Sequence, residues 1–86
     1  MDGAGRFAMP GMFDMHVHVN GGNDGLLHLA GGVTSVRDLA NDRDALAATI
    51  KAYEDGTDLG PRVIRAGFVD GRSPYSGPTK VFADNE

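Results

Sequence analysis

The chain has 86 residues, a formal net charge of −4, 41% hydrophobic and 23% charged residues, 13 glycines and no cysteine. That balance argues against wholesale disorder, the eight scattered basic residues argue against a nucleic-acid partner, and no apolar run approaches the ~20 residues of a membrane span. The length suits one small domain but falls far short of the roughly 250 residues of a closed (β/α)8 barrel, so a barrel reading makes this chain a part of one.

The lack of cysteine rules out a disulfide framework and slightly favours a cytoplasmic setting. The start, from Met1 to Gly5, has neither a basic nor an apolar leader segment, while a signal peptide upstream is left open. Asp2 to Arg6 reads as a turn, and Pro10-Gly11 leads into a first strand, Met12 to Val19, that ends at Asn20-Gly21-Gly22. Asn23 or Asp24 then caps a short helix through Leu26, Leu27 and Leu29, which Gly31-Gly32 closes. A second strand is expected from Val33 to Leu39, where β-branched and polar residues alternate.

Asp42 is a plausible N-cap for a helix from about Arg43 to Glu54. Its Leu46, Ile50 and Tyr53 recur at i, i+4 and i+7, and Gly56 stops it. Gly60-Pro61 introduces a third strand, Arg62 to Gly67, followed by a Gly/Pro/Ser-rich loop from Asp70 to Pro78. Lys80 to Glu86 reads as the start of another helix. Strands alternating with helices imply a parallel sheet built from βαβ units.

The chemistry is concentrated in the first strand. Residues two apart in a strand project from one face with Cα atoms roughly 6 to 7 Å apart. His16 and His18 meet this condition and can converge on one ion, each nitrogen about 2.0 to 2.1 Å from a zinc. Uninterrupted alternation puts Asp14 on their face and Phe13, Met15 and Val17 on the other. Three ionisable groups near a strand end are costly to bury without a metal or mutual pairing. The plainer reading is that they are solvated residues of an edge strand, and a bare His-x-His carries little weight by itself.

Two longer matches add weight. The run Pro10-Gly11-Met12-Phe13-Asp14-Met15-His16-Val17-His18 resembles the first-strand signature of the amidohydrolase superfamily, a Pro-Gly turn and a hydrophobic strand ending in Asp-x-His-x-His. Gly32-Val33-Thr34-Ser35-Val36-Arg37-Asp38 is similar to the second-strand segment of its imidazolonepropionase-like and prolidase-like branch. The resemblance implies an α/β fold, the first three βα units of a TIM-like (β/α)8 barrel. Residues 1–9 would be a remnant of the family's small β-domain or linker, and 10–86 the start of the barrel.

By the same resemblance His16 and His18 bind a divalent metal, zinc first among candidates. The parent enzyme would hydrolyse a C–N bond in a small molecule or dipeptide by a metal-activated water. The family's further ligands and its proton-shuttling Asp come from later strands, beyond Glu86, so no catalytic residue is expected within this segment and the segment alone is expected to be inactive. Many relatives carry Gly-Gly-His after strand three, where this chain has Pro74-Tyr75-Ser76-Gly77-Pro78-Thr79, which leaves the substrate open.

Other residues carry weaker expectations. Asp14, Arg37 and Asp38 are candidates for supporting the metal ligands, with a local ion pair or a helix cap as the alternative for the last two. Tyr75 is a candidate for a substrate loop, against a packed surface turn. His28, inside the first helix, reads as structural. Gly21-Gly22-Asn23-Asp24-Gly25 lacks the Gly-Lys-Ser/Thr ending of a phosphate loop. A competing reading from a different class is a non-catalytic fragment that associates through exposed sheet edges, without functional metal binding. Either way the expected partners are other copies or the remainder of a barrel.

Overall fold

The computed structural model describes residues 2–39, 41, 44–77 and 81–83. Strand β1 (Met12–Val17) leads to helix α1 (Asp24–Ala30), β2 (Val33–Asp38), α2 (Asp44–Asp55) and β3 (Arg62–Arg65). The three strands form one sheet in the order β1-β2-β3, with both pairings parallel. Sequence alternation therefore yields the expected parallel α/β arrangement, and the sheet is open, with β1 and β3 at its edges. Among the described residues no helix is long and apolar enough to cross a membrane.

Both helix stops follow from glycine's tolerance of positive φ. Gly32 (φ +80) ends α1, where the Gly31 and Gly32 amides donate to Leu27 O and Leu29 O at 3.0 Å each. Gly56 (φ +71) ends α2. At the other end of α1, Asn23 is the cap residue but makes no side-chain cap bond. The neighbouring Asp24 carboxylate instead accepts the Asn20 amide at 2.9 Å, tying the helix start to the chain leaving β1. The expected cap of α2, Asp42, and the expected first residue, Arg43, lie outside the described residues.

The core is small: Val17, Val19, Val36 and Leu46, with Val33, Ile50, Tyr53 and Val63 packed against it. Helix α2 lays its Leu46, Ile50 and Tyr53 stripe on the sheet face that carries Val17, Val36 and Val63, as its apolar spacing predicts. Tyr53 also lies where Cβ atoms on Gly25 and Gly60 would be, at 2.7 Å or less from its ring atoms, so two glycines admit one aromatic ring.

The C-terminal region departs from expectation. Val69–Gly71 forms β4 and Val81–Ala83 forms β5, a two-stranded parallel pair, where a loop start and a helix start were expected. Val81 and Phe82 are good strand formers, and pairing with β4 satisfies backbone groups that a single nascent helical turn would leave open. Between the two strands a turn is built from side chains: the Asp70 carboxylate accepts the Gly71 and Gly77 amides at 2.8 Å each. Residues 78–80 and 84–86 lie outside the described residues.

Candidate metal centre

β1 stops at Val17, two residues before the expected end at Val19. Side chains, not a ladder, take over the backbone there. The Val19 amide donates to Asp38 Oδ2 at 2.6 Å, His18 O accepts from Asn20 Nδ2 at 2.9 Å, and Val19 O accepts from Asn41 Nδ2 at 3.3 Å. The β1–β2 register carries two irregularities. Met12 pairs with Val33 but Phe13 with Ser35, leaving Thr34 extra on β2; Asp14 pairs with Val36 but Val17 with Asp38, leaving one extra residue on β1 between them. The second shift undoes the first. Gly11 is needed at the start of this stretch, because a Cβ there would fall 2.1 Å from Thr34 Oγ1.

The bulge changes which side chains share a face. Cross-strand partners in a sheet lie on one face, and Val36 and Asp38, two apart on β2, share theirs. Asp14 and Val17 therefore emerge on that same helix-covered face, although three residues apart. The uninterrupted alternation expected from the sequence, with Asp14 beside both histidines, does not hold. His16 and His18, on either side of buried Val17, emerge on the opposite face with Arg37, and both are exposed.

Asp14 instead serves the bulge: its Oδ1 accepts the His16 amide at 3.1 Å. Arg37 Nε donates to Met15 O at 3.1 Å. An extra residue in a strand leaves backbone groups without ladder partners, and here two of the sequence candidates, Asp14 and Arg37, supply them. The third, Asp38, is fully buried; besides the Val19 amide its Oδ2 lies 3.5 Å from Asn41 Nδ2, and its Oδ1 has no hydrogen-bond partner among the described residues. An unsatisfied buried acceptor costs about 1–3 kcal/mol, so Asp38 is an expensive residue for a strand end.

The imidazole rings of His16 and His18 have centroids 5.5 Å apart and planes at 81°. Two histidines bound to one zinc at about 2.0 to 2.1 Å per nitrogen and a tetrahedral angle place their centroids about 5 Å apart. The pair as it stands thus fits the separation that chelation needs, which is also an ordinary edge-to-face ring contact. Two imidazoles are half of a tetrahedral donor set, and no group of three or more His, Cys, Asp or Glu able to hold a metal occurs among the described residues.

The remaining candidates lie apart. His28 sits in the last turn of α1, where a basic side chain complements the helix carbonyls, in keeping with a structural role. Tyr75 is 94% exposed in a turn, on the segment between β4 and β5, where the Ser76 hydroxyl accepts the Ser73 amide at 2.8 Å and donates to Ser73 O at 2.9 Å. Asn20 and Asn41, whose amides hold the chain just past the pair, were not singled out by the sequence. The only hint was Asn20 opening an Asn-Gly-Gly turn, which marks a chain reversal and not a bond to His18 O. No protein-family model, curated protein or solved structure matches this chain.

Proposed function

We propose that this chain is the opening segment of a metal-dependent amidohydrolase of TIM-like barrel type, in which His16 and His18 supply two ligands to a divalent metal, zinc first, and the parent enzyme hydrolyses a C–N bond in a small molecule or dipeptide. The observation that carries the proposal is the ring pair 5.5 Å apart at the carboxyl end of β1, on the sheet face opposite helix α2. In parallel α/β folds ligands gather at the carboxyl ends of strands, and in a barrel the face away from the helices is the interior. When bound, a metal polarises a carbonyl and lowers the pKa of a bound water toward neutrality. The chain's own part is narrower: His16 and His18 offer nitrogen donors, and Asp14, Arg37, Asp38 and Asn20 hold the backbone that carries them. A base and further ligands are needed from elsewhere, since two histidines neither complete a zinc site nor move a proton from water.

Replacing both histidines, His16→Ala with His18→Ala, is expected to abolish stoichiometric binding of Co(II), a spectroscopic substitute for zinc, and any hydrolytic activity of the parent protein. Retention of both by the folded double variant would overturn the ligand assignment.

A second reading has its own support. Phe13, Met15 and Ile64 are 67%, 52% and 45% exposed on the two edge strands, and uncovered strands of this kind recruit other chains. On that reading the chain associates through its sheet edges and binds no metal of functional consequence.

A further inference from the structure

Arg37 and Asp38 are consecutive at the end of β2, so their side chains leave the strand on opposite faces. Both turn to the same neighbour. Arg37 Nε holds Met15 O at 3.1 Å, immediately before His16, and Asp38 Oδ2 holds the Val19 amide at 2.6 Å, immediately after His18. Between these points Val17 is anchored in the core at 8% exposure and its carbonyl accepts the Leu39 amide at 3.1 Å. The three-residue segment that presents the two rings is therefore fastened at both ends and at its middle, while the rings themselves stay exposed.

The bulge makes this fastening necessary. A regular strand would fix the direction of each side chain through its ladder, but the extra residue between Asp14 and Val17 interrupts that ladder where His16 stands. Side chains act on both sides of the peptide leading into His16: Arg37 Nε donates to Met15 O, and Asp14 Oδ1 accepts the His16 amide.

We propose that Arg37 and Asp38 are paired positioning residues, which set the separation of the His16 and His18 rings by gripping the β1 backbone on either side without touching the ion. The proposal rests on the reading of His16 and His18 as metal ligands, and adds that the donor geometry is made by β2. Asp38 contributes through its acceptor oxygen and Arg37 through its Nε donor.

The test uses purified protein and Co(II), with binding followed by visible absorption, ring-to-ring nuclear Overhauser contacts between His16 and His18 in the metal-free state, and thermal melting as a check of folding. Arg37→Met keeps an aliphatic stem and loses the donor; it is expected to weaken Co(II) binding about 10- to 100-fold, the range found when groups that orient metal ligands are removed, and to lose the ring contacts. Asp38→Ala should do the same. Asp38→Asn, which keeps an acceptor for the Val19 amide, should restore binding to within about threefold of the parent and restore the ring contacts. If folded Arg37→Met keeps both the Co(II) affinity and the ring contacts, the positioning role is wrong. Asp38→Ala is the variant most apt to unfold, and Arg37→Met with Asp38→Asn then decide the matter. Should the unmutated protein fail to bind Co(II), or the double histidine variant bind it equally well, the metal reading is lost while the ring contacts still judge the grip of β2 on β1.

Discussion

Asp14 competes with its own strand: a short carboxylate two residues before His16 takes the His16 amide and leaves the ladder to re-form at Val17. This explains why a residue expected beside the two histidines, as a support for the metal ligands, holds the His16 backbone from the other face instead. Tyr53 shows the opposite balance, a large ring admitted by Gly25 and Gly60 whose hydroxyl is buried beside the Gly25 backbone. Burial raises its pKa above the ordinary 10.0, and the negative charges of Asp58 and Asp24 act in the same direction, opposed in part by the Gly25 backbone. With the folded pKa raised, the contribution to stability is complete below about pH 10 and is lost as pH climbs from there through the folded value, because the unfolded chain releases the proton first. Urea midpoints at pH 8 and pH 11 should fall further in the parent than in Tyr53→Phe; equal falls in the two proteins would show that this hydroxyl does not drive the alkaline loss.

At the scale of elements, α2 is held by very little. Leu46 is 2% exposed and is the helix's sole fully buried side chain among the described residues, joined by the half-buried Ile50 and Tyr53. The exposed Lys51–Asp55 pair on its outer face adds little, since such pairs are worth about 0.3–0.5 kcal/mol. A buried Leu→Ala change costs about 2–5 kcal/mol, against a total of about 4–13 kcal/mol for a domain this long. Leu46→Ala is therefore expected to remove much of the cooperative urea transition followed by circular dichroism, and an unshifted midpoint would show that α2 is not what covers the sheet. The helix stripe, both glycine stops and the three parallel strands were legible beforehand because each is set by neighbours within one or two turns or by a simple period. The early end of β1 and the β4–β5 pair were not: the first depends on Asp38, 19 residues from the amide it captures, and the second on two strands whose mates lie 12 residues apart.

The whole molecule is more open than its length suggests. Its radius of gyration is 16.4 Å, where a compact domain of this size would have about 12 Å. Its accessible surface is 6459 Å², against about 4,900 Å² for a folded monomer of its mass. Large apolar side chains contribute to that surface, with Phe7, Phe13, Met15, Leu27 and Ile64 all exposed outside the core. Self-association is the expected consequence in isolation, and light scattering after size-exclusion chromatography should report a species heavier than 9.0 kDa whose share rises with concentration. A monodisperse monomer at high concentration would contradict it. Adding the remainder of a barrel would cover the same faces, so suppression of association by neighbouring segments is what the amidohydrolase proposal requires.

Local sequence was sufficient for the parallel α/β alternation, the Pro10-Gly11 approach to β1, the apolar stripe of α2 and the candidacy of His16 and His18, since these depend on turn residues and on spacing along one element. Only the tertiary structure decided that Asp14 leaves the histidine face, that Arg37 and Asp38 hold opposite ends of the same three residues, and that the rings stand 5.5 Å apart. The reason is that strand register is a relation between residues some twenty positions apart, and a single inserted residue reverses facing without altering the hydrophobic pattern of either strand.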